Sequence, residues 1–290
     1  MISPAASRPR FRFAPSPNGA LHLGHAYSAL LNAALAQKIG GDFIIRVEDI
    51  DIARCTPALE TTMFDDLKWL GLDSASPLMR QSERFDYYQK ALDLLHEKEL
   101  IYPAFLTRGE IKKHARTTPN WPHDPDGAPL YPGLEKNWDT QTRTNAIATG
   151  KPFAWRLDMD KALALYPNKG AKDWGDVVLA RKDTPTSYHL AVVLDDAAQN
   201  ISHVVRGLDL EAATSVHLLL QQLLALPSAT YFHHRLILDE EGEKLSKSQK
   251  ATGLKYLRDQ GADLNDILEL IGWDDAEVDA LAHKLISQST

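Results

Sequence analysis

The chain has 290 residues, room for one large or two modest domains, and its 44% apolar and 24% charged content is that of an ordinary globular protein. One cysteine, Cys55, excludes an intrachain disulfide, and no run nears the roughly 18 apolar residues of a membrane span. A net charge of −7 excludes a uniformly basic surface, so contact with nucleic acid would need a local patch.

The first residues, Met1 to Ser7, lack the apolar core of a signal peptide, and a cytoplasmic protein is expected. Phe11 to Ala14 reads as a strand, with apolar residues alternating at Phe11 and Phe13. Pro15, Pro17, Asn18 and Gly19 break it. A helix follows, with Ala26, Leu30, Ala33 and Ala34 at helical spacing. His22 and His25 fall in its first turn, three residues apart and so on one face. A helix N-terminus attracts anions, which makes the pair a candidate phosphate site. Surface histidines, satisfied core histidines or half of a metal site are the other readings. Gly40-Gly41 ends the helix and Phe43 to Val47 reads as a second strand. Strand, helix and strand in this span make a parallel, right-handed βαβ unit, whose ligands sit outside the carboxyl ends of the strands. Arg12 to Ser16 and Glu48-Asp49 lie at those ends. The two acids also suit a helix cap or a loop.

Amphipathic helices are expected near Pro57–Leu70 and Arg84–Lys98. Residues 117–152, rich in turn formers, read as irregular, and strand-like runs resume at Phe153–Leu157 and Val177–Arg181. The segment 103–185 therefore reads as an insertion. The nucleotide-binding pattern returns with the apolar run Tyr188–Leu194, with Asp195-Asp196 at its end. Val204 to Asp209, a helix near Ser215–Leu226 and a last strand at Leu236–Leu238 follow. Bases cluster at Arg108 to Arg116 and around Lys244, Lys247, Lys250, Lys255 and Arg258; either cluster also suits a solvated face. The tail, 251–290, reads as helical and acidic, with apolar positions Leu264, Ile267, Leu268 and Ile271.

Two distant segments, His22-Leu23-Gly24-His25 and Lys244-Leu245-Ser246-Lys247-Ser248, resemble the HIGH and KMSKS signatures of class I aminoacyl-tRNA synthetases. Arg12 to Ser16, Glu48-Asp49, Tyr188 with the run after it, and Arg206 to Asp209 resemble the glutamate type. The short distance from Ser248 to the last residue resembles the glutamyl-Q tRNA(Asp) synthetases, paralogues without the anticodon-binding region. The resemblance implies an α/β fold: a Rossmann-type class I catalytic domain with an inserted α+β acceptor-binding-like subdomain and a short helical tail. The domains would be 8–102 and 186–250 for the catalytic halves, 103–185 for the insertion and 251–290 for the tail.

The resemblance further implies ATP with Mg²⁺, L-glutamate and queuosine-containing tRNA(Asp) as reactants, no membrane and a monomer. His22, His25 and Lys247 would be catalytic. Pro15, His22, Gly24, His25, Lys244, Ser246 and Lys247 would bind ATP. Arg12, Ala14, Ser16, Glu48, Tyr188 and Arg206 would bind glutamate, the arginines suiting a side-chain carboxylate by their paired donors. A glutamyl-tRNA synthetase core charging the 3′ end, or a non-catalytic RNA-binding paralogue, are the rival readings. Family members often hold zinc through Cys-x-Cys, Tyr and Cys in the insertion. Here the matching positions are Ala104, Leu106, Tyr131 and Glu135, and no structural zinc is expected.

Overall fold

The computed structural model describes residues 8–181, 183–238 and 253–288. The chain opens with β1 (Arg10–Phe13), α1 (Leu23–Lys38), β2 (Asp42–Val47), α2 (Pro57–Trp69) and β3 (Met79–Arg80). Then come α3 (Phe85–Glu97), β4 (Ile101–Ala104), α4 (Arg108–Thr117), α5 (Thr140–Ala148), β5 (Ala154–Leu157), α6 (Met159–Leu165), α7 (Lys169–Lys172), β6 (Val178–Arg181) and α8 (Tyr188–Ala198). It continues with β7 (His203–Gly207), α9 (Thr214–Leu223), β8 (Thr230–His234), α10 (Leu254–Asp259), α11 (Leu264–Leu270) and α12 (Asp275–Gln288). By packing, the described residues fall into two compact units: those within 8–83, 199–210, 229–238 and 253–288 form one, those within 84–181, 183–198 and 211–228 the other. The boundaries 8–102, 103–185, 186–250 and 251–290 follow motif positions instead and stand as a proposal.

In the first unit a sheet runs in the order β3-β2-β1-β7-β8 with every neighbouring pair parallel. Alternation along the strands sorts its two faces. Phe11, Phe13, Phe43, Ile45, Val47 and Val205 join one core with Leu23, Ala26, Tyr27 and Leu31 of α1. Leu254, Ile267, Ile271, Val278 and Leu285 enter the same core, so α10, α11 and α12 are part of this unit. Ile44 and Val204 belong to a separate cluster with Ile201. By the same alternation Arg12, Arg46 and Arg206 share the face of Ile44 and Val204. Buried Asn32 of α1 donates to the Val205 carbonyl (3.0 Å) and holds helix to strand. Gly40, at φ +67°, turns the chain from α1 into β2 in a conformation that a side chain would strain.

The second unit is α+β, with a three-stranded antiparallel sheet in the order β4-β5-β6. Two expectations are corrected here. The run Tyr188–Leu194 does not resume a sheet pattern; it is the start of helix α8, with Leu190 to Asp196 all buried. A continuous apolar run does not separate a buried strand from a buried helix. Ser187, whose Oγ accepts from Leu190 N–H (3.4 Å), carried the helix signal. The stretch 117–152, expected irregular, holds α5, capped by Asp139 accepting from Thr142 N–H (2.6 Å). In the first unit, the last described strand is β8 at Thr230–His234 rather than Leu236–Leu238. Paired residue for residue with β7, it follows the Pro-Ser break and carries the β-forming Thr-Tyr-Phe.

Candidate active site

The site residues of the first unit gather where β1, β2 and β7 end. Three of the strands finish with Phe13, Val47 and Gly207, and the exit loops of β1 and β2 meet at once: Glu48 N–H donates to the Pro15 carbonyl at 3.0 Å. Ala14 and Ser16 are half-buried on that loop, and Ser16 Oγ lies 3.6 Å from Cys55 Sγ. Arg12 and Arg206 are both nearly fully buried. The Arg206 guanidinium donates to the Leu210 carbonyl (3.1 Å) and to His233 Nε2 (3.4 Å), and sits over the Tyr231 ring at 5.3 Å. Its orientation is thereby set from three sides. At Gly207 beside it, a Cβ would meet the Asp209 carboxylate and lie 3.2 Å from Leu236 Cδ2, so a side chain there would push the Asp209 carboxylate aside.

Helix α1 begins with a cap made of imidazoles. His22 stands at the N-cap, one residue ahead of the helical turn in which the sequence placed it. Its Nδ1 accepts from Gly24 N–H (3.2 Å), while His25 Nδ1 accepts from His22 N–H (3.1 Å). The ring centroids are 3.8 Å apart. An imidazole nitrogen that accepts a hydrogen bond carries no proton, so this reciprocal cap assigns the neutral rings their hydrogen at Nε2. Two N–H donors and the positive end of a long helix thus occur together, a combination suited to phosphate oxygens. Gly24 belongs to the device: a Cβ there would lie 3.1 Å from His22 Cε1.

Lys244, Ser246 and Lys247 lie outside the described residues. The chain that resumes after them is fastened to the imidazole segment. Gly253 forms an antiparallel bridge with His22, and Leu254 N–H donates to the Leu21 carbonyl at 2.8 Å. Helix α10 is also held to α2, where Arg258 lies 3.2 Å from the fully buried Asp66. Burial, against the opposing pull of Arg258, pushes the Asp66 carboxyl up to about 6.

Two readings of acids are separated by the geometry. Asp49 accepts from Ser82 N–H (2.9 Å) and Oγ (2.6 Å), so it anchors the chain after β3. Glu48 instead accepts from Arg46 Nη2 at 3.0 Å, and Arg46, fully buried, also donates to Gln199 Oε1 at 3.1 Å. Arg46 is the residue that sequence reasoning missed; its signal was a charge inside the apolar run Phe43 to Val47. Tyr188 lies in the second unit, at the start of α8. There its ring meets His217 (centroids 5.5 Å apart), and His217 Nε2 contacts His189 Nδ1 at 3.2 Å. Asp195 is structural, accepting from Arg84 Nε (2.7 Å) and the Tyr88 hydroxyl (2.8 Å).

The positions of the family's zinc site hold something else. Tyr131 donates its hydroxyl to Glu135 (2.6 Å) and accepts from Leu106 N–H (3.4 Å). The other Glu135 oxygen accepts from Phe105 N–H at 3.1 Å. Burial, then the Glu135 hydrogen bond and charge, push the Tyr131 phenol well above its usual range, so it keeps its proton. Ala104 and Leu106 offer no side-chain donor, and the remaining two groups hold each other; this set does not fit a tetrahedral zinc ion. Among the described residues no other group of His, Cys, Asp and Glu is arranged to hold a metal.

With this geometry in hand, the comparisons with known proteins decide the family. The family model for the catalytic domain of class I tRNA synthetases (E and Q) matches residues 9–285. The Glutamyl-Q tRNA(Asp) synthetase of Rhodobacter capsulatus is 42% identical over 278 residues, which are 90% of this chain and 99% of that protein. The chain belongs to the glutamyl-Q tRNA(Asp) synthetase family. The Glutamate--tRNA ligase of a Synechococcus strain is 35% identical over 283 residues, but the chain spans only 58% of its length. A crystal structure of a glutamate tRNA ligase from Elizabethkingia meningosepticum superposes with a TM-score of 0.70 at 27% identity, covering 84% of this chain and 53% of that one. The molecule is therefore a ligase with the α/β catalytic fold of class I synthetases, a class that uses ATP and Mg²⁺. Glutamate stands in the names of both groups of relatives. No helix among the described residues is long and apolar enough to cross a membrane.

Proposed function

We propose that the enzyme activates L-glutamate with ATP in the absence of tRNA and transfers the glutamyl group to queuosine in the anticodon loop of tRNA(Asp). The observation that carries the reading is the paired imidazole cap of α1, joined through the His22–Gly253 bridge to the chain that follows the lysine signature. A glutamate α-carboxylate oxygen attacks the α-phosphorus; the new O–P bond forms as the bond to the β-phosphate breaks, and pyrophosphate leaves. No side chain needs to gain or lose a proton, so placement and charge stabilisation supply the rate. His22 and His25 donate from Nε2 to phosphate oxygens, with Pro15 and Gly24 beside the nucleotide. Lys244, Ser246 and Lys247 would hold the β- and γ-phosphates, where Mg²⁺ carried by the nucleotide would offset their charge. Arg12 and Arg206 hold the substrate side-chain carboxylate, Glu48 the α-ammonium, and Ala14, Ser16 and Tyr188 the remaining edges. Arg46 is a positioning residue that aims Glu48.

A hydroxyl of queuosine then attacks the adenylate carbonyl and AMP leaves. The match across nearly all of the Rhodobacter relative supports this acceptor over the tRNA 3′ end. The enzyme works as a cytoplasmic monomer in this reading. Labelled glutamate tests it. Transfer to queuosine-containing tRNA(Asp), with none to queuosine-free tRNA(Asp), is expected, together with glutamate-dependent pyrophosphate exchange without tRNA. Charging of tRNA(Glu) at its terminal adenosine would instead make it a 3′-end synthetase. Folded protein silent in the exchange assay would make it a non-catalytic binder.

A further inference from the structure

The second unit carries a pocket that none of the assigned roles uses. Ile147, Gly150, Lys151, Phe153, Trp155 and Arg181 line it. Phe153 and Trp155 are two apart in and beside β5, hence on one face of the strand. Their rings stand perpendicular with centroids 5.3 Å apart, and the His96 ring meets Trp155 edge-on at 5.2 Å. The Phe105 ring meets Phe153 at a tilt (centroids 5.5 Å apart) and stacks on Trp138 (5.9 Å). The aromatic wall is thus braced, yet both rings keep part of their surface open. Lys151 and Arg181 are exposed at the pocket, and no carboxylate lines it. Glu110, which feels the Lys151 charge, has its carboxylate turned to the backbone N–H and hydroxyl of Thr107 (2.7 and 2.8 Å). In a chain of net charge −7, this pocket is walled by aromatic rings and its charged lining residues, Lys151 and Arg181, are both cations.

That chemistry selects a flat π-system joined to negative charge. Aromatic stacking accepts any base, and cations beside it suit the flanking phosphates. The wall offers no buried polar side chain for reading a base edge, so the pocket is sequence-tolerant and cannot grip a base that stays paired inside a duplex. We infer that Phe153 and Trp155 stack an unpaired nucleobase of the RNA substrate, with Lys151 and Arg181 on the adjacent phosphates. The inference rests on an RNA being the acceptor, but not on which nucleoside is glutamylated.

The test uses the full chain and two fluorescein-labelled RNAs of equal length, a stem-loop and a blunt duplex, with binding followed by anisotropy. Trp155→Ala is expected to weaken the stem-loop about fivefold to 100-fold, the effect of losing one stacked base, and to leave the duplex unchanged. Arg181→Glu is expected to weaken the stem-loop and to lower its log–log salt slope by about 0.7, one single-strand phosphate contact. Arg181 is exposed, so this variant decides the matter should Trp155→Ala fail to fold. Unchanged stem-loop binding in folded variants, or equal loss for both RNAs, overturns the inference. Glutamate-dependent pyrophosphate exchange without RNA is expected to stay at the unsubstituted level in both variants. Its absence from the unsubstituted enzyme would refute the adenylation reading alone, since the RNA-binding comparison stands apart from it.

Discussion

Replacing Glu135 by alanine probes the metal-free clamp of the second unit most directly. The side chain is 2% exposed and receives two hydrogen bonds, from Phe105 N–H at 3.1 Å and from the Tyr131 hydroxyl at 2.6 Å. Hydrogen bonds to a charged group contribute about 1.5–3 kcal/mol each, and removal leaves both donors buried without an acceptor. The two are coupled, so the expected loss is about 3–5 kcal/mol rather than their full sum. Glu135→Gln keeps an acceptor oxygen for Phe105 but sets an amide NH2 where the Tyr131 hydroxyl donates, for about 1–2 kcal/mol. Tyr131→Phe falls between, and the Glu135–Tyr131 double-mutant cycle should show coupling above 1 kcal/mol. Urea unfolding gives the differences, and amide exchange at Phe105 and Leu106 locates them: both amides should lose protection first in Glu135→Ala. Added zinc or chelator should leave the transition where it is, and plasma emission analysis should find far less than one zinc per chain. Glu135→Ala within 1 kcal/mol of the parent, with Phe105 still protected, would refute the clamp.

The remaining predictions concern the first unit. His25→Ala should slow adenylate formation about 10²- to 10³-fold with little change in the KM for glutamate, as expected for a lost transition-state donor; a pure KM effect in stopped-flow exchange would contradict the role. Gly24→Ala should lower the same rate at least tenfold without lowering Tm, because the new methyl displaces the His22 ring rather than the core. Arg206→Ala should erode selection of glutamate over glutamine in competition assays; an unchanged margin would sink its assignment. Asp66, raised to about 6 in the fold, stabilises fully below its unfolded value near 4 and loses that contribution as pH rises through 6. Asp66→Asn should therefore flatten the dependence of Tm on pH between about 4 and 6, and gain about 1–3 kcal/mol relative to the parent at pH 8. A parent-like slope would contradict it.

Much of this was legible in the residues because its physics is local. The alternation of Phe11 and Phe13, the proline-rich break after them and the glycines after α1 each act within a few positions, and β1, α1 and β2 form where they indicate. The capping geometry of His22-Leu23-Gly24-His25 is equally local, which is why the imidazole pair is identifiable before any fold exists. The family follows from the same motifs. Long-range packing decided the rest. Tyr188–Leu194 is apolar but for His189, so its pattern does not separate helix from strand, and beyond the Ser187 cap the burial of Leu190 to Leu194 goes with the helix. The tail at 251–290 has its own amphipathic pattern, but whether it packs on α1 or leaves the core depends on contacts hundreds of residues away. Arg46 looks like an interrupted strand until Glu48 and Gln199, the latter 153 residues downstream, give its charge partners. Glu135 reads as an ordinary surface acid until the fold buries it against the Phe105 N–H, 30 residues upstream, and a Tyr131 hydroxyl that Leu106 N–H fixes in turn. Burying a charge costs so much without partners that the partners, which no short window of sequence contains, define what the residue does.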